Sequence, residues 1–120
     1  MIHEELSEEI IGSAMAALNE LKPGLDEKLY ENALVIEMTK HGHRIAQRMQ
    51  FPVHFDGELI GKLIPDLIIE DKVVVDTKVV TGFTETHMAQ MMGYLAISDL
   101  RLAILLNFKN TKLEWKRVVR

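Results

Sequence analysis

Between Glu4 and Leu21 the apolar residues Leu6, Ile10, Ile11, Ala14, Ala17, Leu18 and Leu21 recur three and four apart, which predicts an amphipathic helix with acids on its far face. Lys22-Pro23-Gly24 ends it, because proline disfavours helix at the residue before it and glycine enters a left-handed turn easily. A second helix follows, with Asp26 as N-cap and Leu29, Ala33, Leu34 and Met38 as its buried stripe, up to Gly42. The period then changes. Residues 48–55 and 58–69 read as a hairpin about Asp56-Gly57, and Pro52 puts its first strand at an edge or a bulge. A third strand over 72–80 is rich in valine, as a strand covered on both faces is. After Thr81-Gly82-Phe83 a third helix runs from Thr84 or Thr86 to Ser98. Met88, Met91, Met92 and Leu95 form its apolar stripe, His87, Gln90 and Tyr94 a polar one, and Gly93 would let it lie close to a sheet. Strands over 102–108 and 112–119 close the chain. The expectation is an α/β domain in the order α-α-β-β-β-α-β-β, a mixed central sheet of about five strands flanked by helices.

Two residues break this pattern. Asp66 and Asp76 each place a carboxylate within an apolar run, and a charge there loses solvation unless a partner, a metal ion or an exposed face compensates it. Lys78 lies two residues beyond Asp76 and so projects from the same face of the strand. Whether Asp66 joins them depends on the turn at Glu70-Asp71-Lys72. A loop of Glu70 and Asp71 alone puts the two aspartates on opposite faces, whereas a loop that includes Lys72, or a bulge, sets them side by side. We expect the second arrangement.

Other polar positions have ordinary explanations. Glu27 falls in the first turn of the second helix, with Tyr30 one turn on, and an acid at a helix N-terminus is favoured by the macrodipole alone. His41-Gly42-His43 has the form of a metal pair, but side chains flanking a turn glycine diverge easily. Lys109, Lys112, Lys116, Arg117 and Arg120 either protect an exposed edge strand or form a phosphate-contacting strip.

Composition narrows the classes. With 120 residues this should be one domain, 1–120, and without cysteine it has neither disulfides nor thiolate metal sites. No apolar run reaches the roughly 20 residues that span a bilayer, and Met1-Ile2-His3-Glu4-Glu5 is acidic where a signal peptide would be basic, so a cytoplasmic protein with no membrane partner is expected. A net charge of −4 counts against an avid, sequence-independent duplex binder but not against a nuclease whose metal site must itself be acidic.

Pro65-Asp66, Asp76-Thr77-Lys78 and Gln90-Met91-Met92-Gly93-Tyr94, in this element order, resemble the PD-(D/E)XK nuclease superfamily and its restriction-endonuclease-like core. More narrowly, Gly24-Leu25-Asp26-Glu27-Lys28-Leu29-Tyr30 is similar to the GxxExxY pattern that names a family of small proteins within it. The likeness covers nearly the whole chain, Glu31-Asn32-Ala33-Leu34 and Leu106-Asn107-Phe108 included; Asp76 stands where relatives often carry glutamate. The resemblance implies that Asp66, Asp76 and Glu27 hold Mg²⁺ or Mn²⁺, Glu27 directly or through water. It implies that Lys78 orients the attacking water, that Gln90 holds Lys78, and that Tyr94 and Tyr30 contact the substrate. The expected reaction is metal-dependent hydrolysis of a phosphodiester in DNA or RNA. A catalytically inactive binding or assembly module on the same fold is the alternative. A homodimer that builds the substrate groove is a third reading.

Overall fold

The computed structural model describes residues 1–120 as three helices and seven strands: α1 (Glu4–Leu21), α2 (Glu27–Lys40), β1 (Ile45–Gln47), β2 (Phe51–Phe55), β3 (Glu58–Leu63), β4 (Leu67–Ile69), β5 (Val73–Lys78), α3 (Glu85–Ser98), β6 (Leu102–Asn107) and β7 (Glu114–Val119). Five strands form one sheet in the order β1-β4-β5-β6-β7, while β2 and β3 make a separate two-stranded ribbon. Only β5 and β6 run parallel, as the intervening α3 crossover requires; the other pairs are antiparallel. This is a restriction-endonuclease-like α/β arrangement. No helix is long and apolar enough to cross a membrane.

Alternation along β5 divides the core in two. Val73 and Val75 face α1 and α2, where they join Ile10, Ala14, Leu18, Leu34 and Met38. Val74 faces α3, packing with Ile68, Met91, Leu95, Ala103 and Leu105. The period of two therefore sends Asp76 and Lys78 toward α3 and turns Thr77 the other way.

The strands between Arg44 and Ile69 differ from the sequence reading. The single strand expected over 58–69 is two strands, interrupted at Ile64-Pro65-Asp66, and the short β1, which the periodicity does not show, pairs with β4 at the sheet's edge. Arg48 takes a left-handed backbone (φ 61°) that no strand continues through, and its amide donates to the Asp66 carbonyl at 3.0 Å. The chain thus leaves the sheet after Gln47 and returns opposite it at Leu67, carrying β2 and β3 out as an arm. Within that arm the register shifts so that Ile60 has no partner, a bulge close to Pro52.

Helix ends follow local chemistry. Thr84 caps α3: its hydroxyl accepts from the His87 amide at 3.3 Å while His87 Nδ1 accepts from the Thr84 amide at 3.1 Å. Asp26 sits at the N-cap of α2 with extended backbone but makes no side-chain capping bond. A Cβ on Gly93 would meet nothing within 4 Å, so the approach of α3 to the sheet does not depend on that glycine.

Candidate active site

The turn between β4 and β5 sets the site. Ile69 pairs with Val73, which leaves Glu70, Asp71 and Lys72 as the loop, and both Glu70 and Asp71 adopt left-handed backbone to make it. Leu67 pairs with Val75 in that register, so one step further Asp66 comes opposite Asp76. The two carboxylates are 8% and 3% exposed respectively, and lie within reach of one another.

Each has its own support. Asp66 Oδ2 accepts from the Thr77 amide at 3.1 Å and the Thr77 hydroxyl at 3.3 Å, and Arg48 Nη1 stands 3.5 Å from Asp66 Oδ1. Asp76 Oδ2 pairs with Lys78 Nζ at 2.7 Å. Lys78 Nζ also donates to Gln90 Oε1 at 3.3 Å, and Gln90 Nε2 donates to the Tyr94 hydroxyl at 3.0 Å. The Gln90 amide therefore uses both ends, fixing lysine on one side and phenol on the other.

Electrostatics records the crowding. Burial first, then the neighbouring Asp76 charge and its hydrogen bond, push the Asp66 carboxyl up to about 6. Glu27 is raised by burial and by Asp66, against the pull of Lys78 and the Val79 amide. Burial alone would lower Lys78, yet its bond to Asp76 and the charges of Asp76, Glu27 and Asp66 outweigh it and hold the ammonium above its ordinary value. These contacts favour the charged ammonium of Lys78 over the free amine. Burial and the two aspartates likewise raise Tyr94, which stays a neutral phenol.

Glu27, at the start of α2, feels Asp66 and Lys78, but no three acidic or histidine side chains are gathered closely enough to hold a cation among themselves. The Asp66–Asp76 pair stands as a two-carboxylate site. Hard divalent cations such as Mg²⁺ are commonly held by one or two carboxylates with waters and phosphates, and the mutual repulsion that raises Asp66 is what a bound cation would relieve. The donor set fits such an ion.

Tyr30 departs from the expectation of substrate contact. It is fully buried, stacked on Phe108 with ring centroids 4.7 Å apart, and its hydroxyl donates to the Lys22 carbonyl at 2.5 Å while accepting from the Leu25 amide at 3.2 Å. It fastens the bend between α1 and α2, where no substrate reaches it. His41 and His43 do not converge either: His43 Nε2 lies 2.8 Å from Glu9 on α1, and His41 is exposed. Arg117 and Arg120 serve the fold, the first donating to Ser7 Oγ and the Ile2 carbonyl, the second pairing with Asp99.

Two residues outside the expected site, Glu31 and Arg48, lie beside it. Glu31, 1% exposed, gathers Lys28, Gln47 and Arg48 at 3.1, 2.7 and 3.2 Å. No periodic signal marks Glu31 or Arg48, because their roles depend on the arm folding away after Gln47.

The model of the PD-(D/E)XK nuclease superfamily matches residues 4–118. The chain belongs to that superfamily. Pro65-Asp66, just before β4, and Asp76-Thr77-Lys78, at the end of β5, have the form of its naming pattern. The crystal structure of SSO0001 is similar over 98% of this chain, with a TM-score of 0.64 and 15% identity, a likeness of fold. This chain spans 59% of the length of that one. No curated protein matches.

Proposed function

We propose that this protein is a metal-dependent nuclease of the GxxExxY family, hydrolysing phosphodiesters of DNA or RNA with Mg²⁺ or Mn²⁺. One observation carries the reading above all: Asp66, just before β4, stands beside Asp76 on β5, with the Lys78 ammonium bonded to the second of them. Asp66 and Asp76 would hold the cation, with Glu27 joining through water. A cation bound there supplies Lewis-acid polarisation of the phosphate and of an attacking water.

The chain's own groups do the remainder. Lys78, kept protonated, orients the nucleophilic water and stabilises the negative charge that grows on the phosphoryl oxygens. Gln90 gives the ammonium a second acceptor at 3.3 Å beside Asp76 at 2.7 Å, and Tyr94 offers a neutral hydroxyl to the substrate. The water oxygen bonds to phosphorus as the bond from phosphorus to the ester oxygen breaks, the water gives one proton to solvent and the leaving oxygen takes one from it, and no redox change occurs.

The test is cleavage of single- and double-stranded DNA and RNA in Mg²⁺ or Mn²⁺. Asp76→Ala should abolish the reaction and Lys78→Ala should lower it by about 100-fold or more. Cleavage that persists in both variants would mark a contaminating nuclease and defeat the proposal. The inactive binding module draws support from one feature, the net charge of −4, which counts against tight binding of a polyanion. Folded protein that binds no Mn²⁺ at millimolar concentration would favour it.

A further inference from the structure

We infer that Arg48 is a substrate-contacting residue that grips a nucleic-acid phosphate, and that buried Glu31 is the positioning residue that holds it in place. The inference rests on the nuclease reading above and adds to it the means of binding a polyanion.

The backbone is the first observation. Arg48 lies at φ 61°, a left-handed region that an L side chain enters only at a steric cost, and its amide is tied to the Asp66 carbonyl at 3.0 Å. A strained residue bonded to the chain of a site carboxylate has its position fixed from behind.

The second observation is Glu31. A carboxylate only 1% exposed must be compensated, and its donors come from Lys28 on α2, Gln47 on β1 and Arg48 just beyond. Arg48 Nη2 donates to Glu31 Oε1 at 3.2 Å, so the guanidinium plane is anchored at one end. Lys28 and Gln47 together occupy Glu31 Oε2, and Gln47 is itself steadied by Asn32 Oδ1 at 2.9 Å.

The third is what remains free. Arg48 Nη1 stands 3.5 Å from Asp66 Oδ1, which is attraction without a good hydrogen bond, and 48% of the side chain is exposed. A guanidinium presents five N–H donors in a planar fork, more than these two partners take up. An open fork is suited to the paired oxygens of a phosphate. The aspartate pair thus has a cation on either side, Lys78 on Asp76 and Arg48 on Asp66, in a chain whose net charge is −4. We assign Lys78 to the reacting phosphate and Arg48 to a neighbouring one.

The experiment measures binding of short fluorescent oligonucleotides, as DNA and as RNA, single- and double-stranded, by anisotropy in Ca²⁺ across a salt series. Mn²⁺ calorimetry on the protein alone accompanies it. Arg48→Ala should bind at least about tenfold more weakly, with the slope of log affinity against log salt reduced by about 1, the loss of a single phosphate contact. Its Mn²⁺ affinity should be no weaker than the parent's, because a positive charge beside Asp66 is gone. Arg48→Lys should keep the salt slope but not the full affinity, and it carries the test should the alanine variant fail to fold. Glu31→Gln, which frees the fork while leaving Arg48 charged, should fall between parent and alanine variant.

Parent-like oligonucleotide binding by Arg48→Ala, with only the metal affinity altered, would show a mere counter-ion for Asp66 and overturn the assignment while leaving the nuclease reading intact. Parent-like binding by Glu31→Gln would remove the positioning role. A folded parent that binds none of the oligonucleotides would defeat the nuclease reading and this inference together.

Discussion

Asp66 is where a single residue's chemistry reaches furthest. Its carboxyl titrates at about 6 in the fold against 3.8 in its absence, raised by burial and by Asp76, so the metal-free fold binds that proton more tightly than the unfolded chain does. A raised carboxyl contributes no penalty below about pH 4, and stability falls as pH rises through the window to about 6, after which the whole penalty persists. Asp66→Asn removes the titration, yet its amide oxygen can still accept from the Thr77 amide. The variant should therefore be more stable than the metal-free parent above pH 6, by about 1 kcal/mol, and the gap should close toward pH 4. That figure is well below the roughly 3 kcal/mol that a rise from 3.8 to about 6 represents at about 1.4 kcal/mol per tenfold change in proton affinity, because water at the rim screens the charge. Denaturant melts at pH 4 and pH 8 in chelator check it, and a gap that widens on acidification contradicts the assignment.

At the level of elements, α3 carries a residue whose local conformation gains nothing from it. Gly93 lies inside the helix, and a methyl group added there would have no atom within 4 Å, so Gly93→Ala should stabilise the fold by about 0.5 to 1 kcal/mol through reduced freedom of the unfolded chain, seen as a higher Tm. A lower Tm would mean that α3 packs more tightly there. Periodicity reads α1 to its ends, because Ile10, Ala14 and Leu18 on one stripe admit a single solution. The site is legible for a similar reason: Asp66 and Asp76 are conspicuous among β-branched neighbours, and one loop residue, Lys72, decides their faces. The hairpin about Asp56-Gly57 pairs as expected, but its departure from the main sheet is not legible. Alternation in 48–63 looks the same whether a strand joins the main sheet or leaves it, and what separates the two is the left-handed turn at Arg48 and the break at Pro65, which involve residues distant in sequence. Tyr30 is misplaced by a motif that names it, since a pattern of spacing does not say which side of a helix meets Phe108.

For the whole molecule, the consequence of bringing Asp66 and Asp76 together is a fold that stores repulsion, which a bound cation would relieve. The aspartates meet only when the turn, both strands and the flanking α3 are in place, so the unfolded chain presents no equivalent site. A ligand that binds only the folded state stabilises it by mass action, about 2.7 kcal/mol at one hundred times its dissociation constant. With an unfolding entropy of roughly 2.1 cal/mol/K per residue, 120 residues lose about 0.25 kcal/mol per degree near Tm, so that stabilisation corresponds to a rise of roughly 10 °C. Mn²⁺ should therefore raise Tm in the parent, steadily with concentration, and do so less as pH falls below about 6, where Asp66 takes up its proton. Asp76→Ala breaks the pair and should lose the rise while remaining folded; Lys78→Ala removes a competing cation from Asp76 and should keep it or enlarge it. An equal rise in parent and Asp76→Ala would trace the metal to another surface, and no rise in the parent would leave a nuclease fold without its ion.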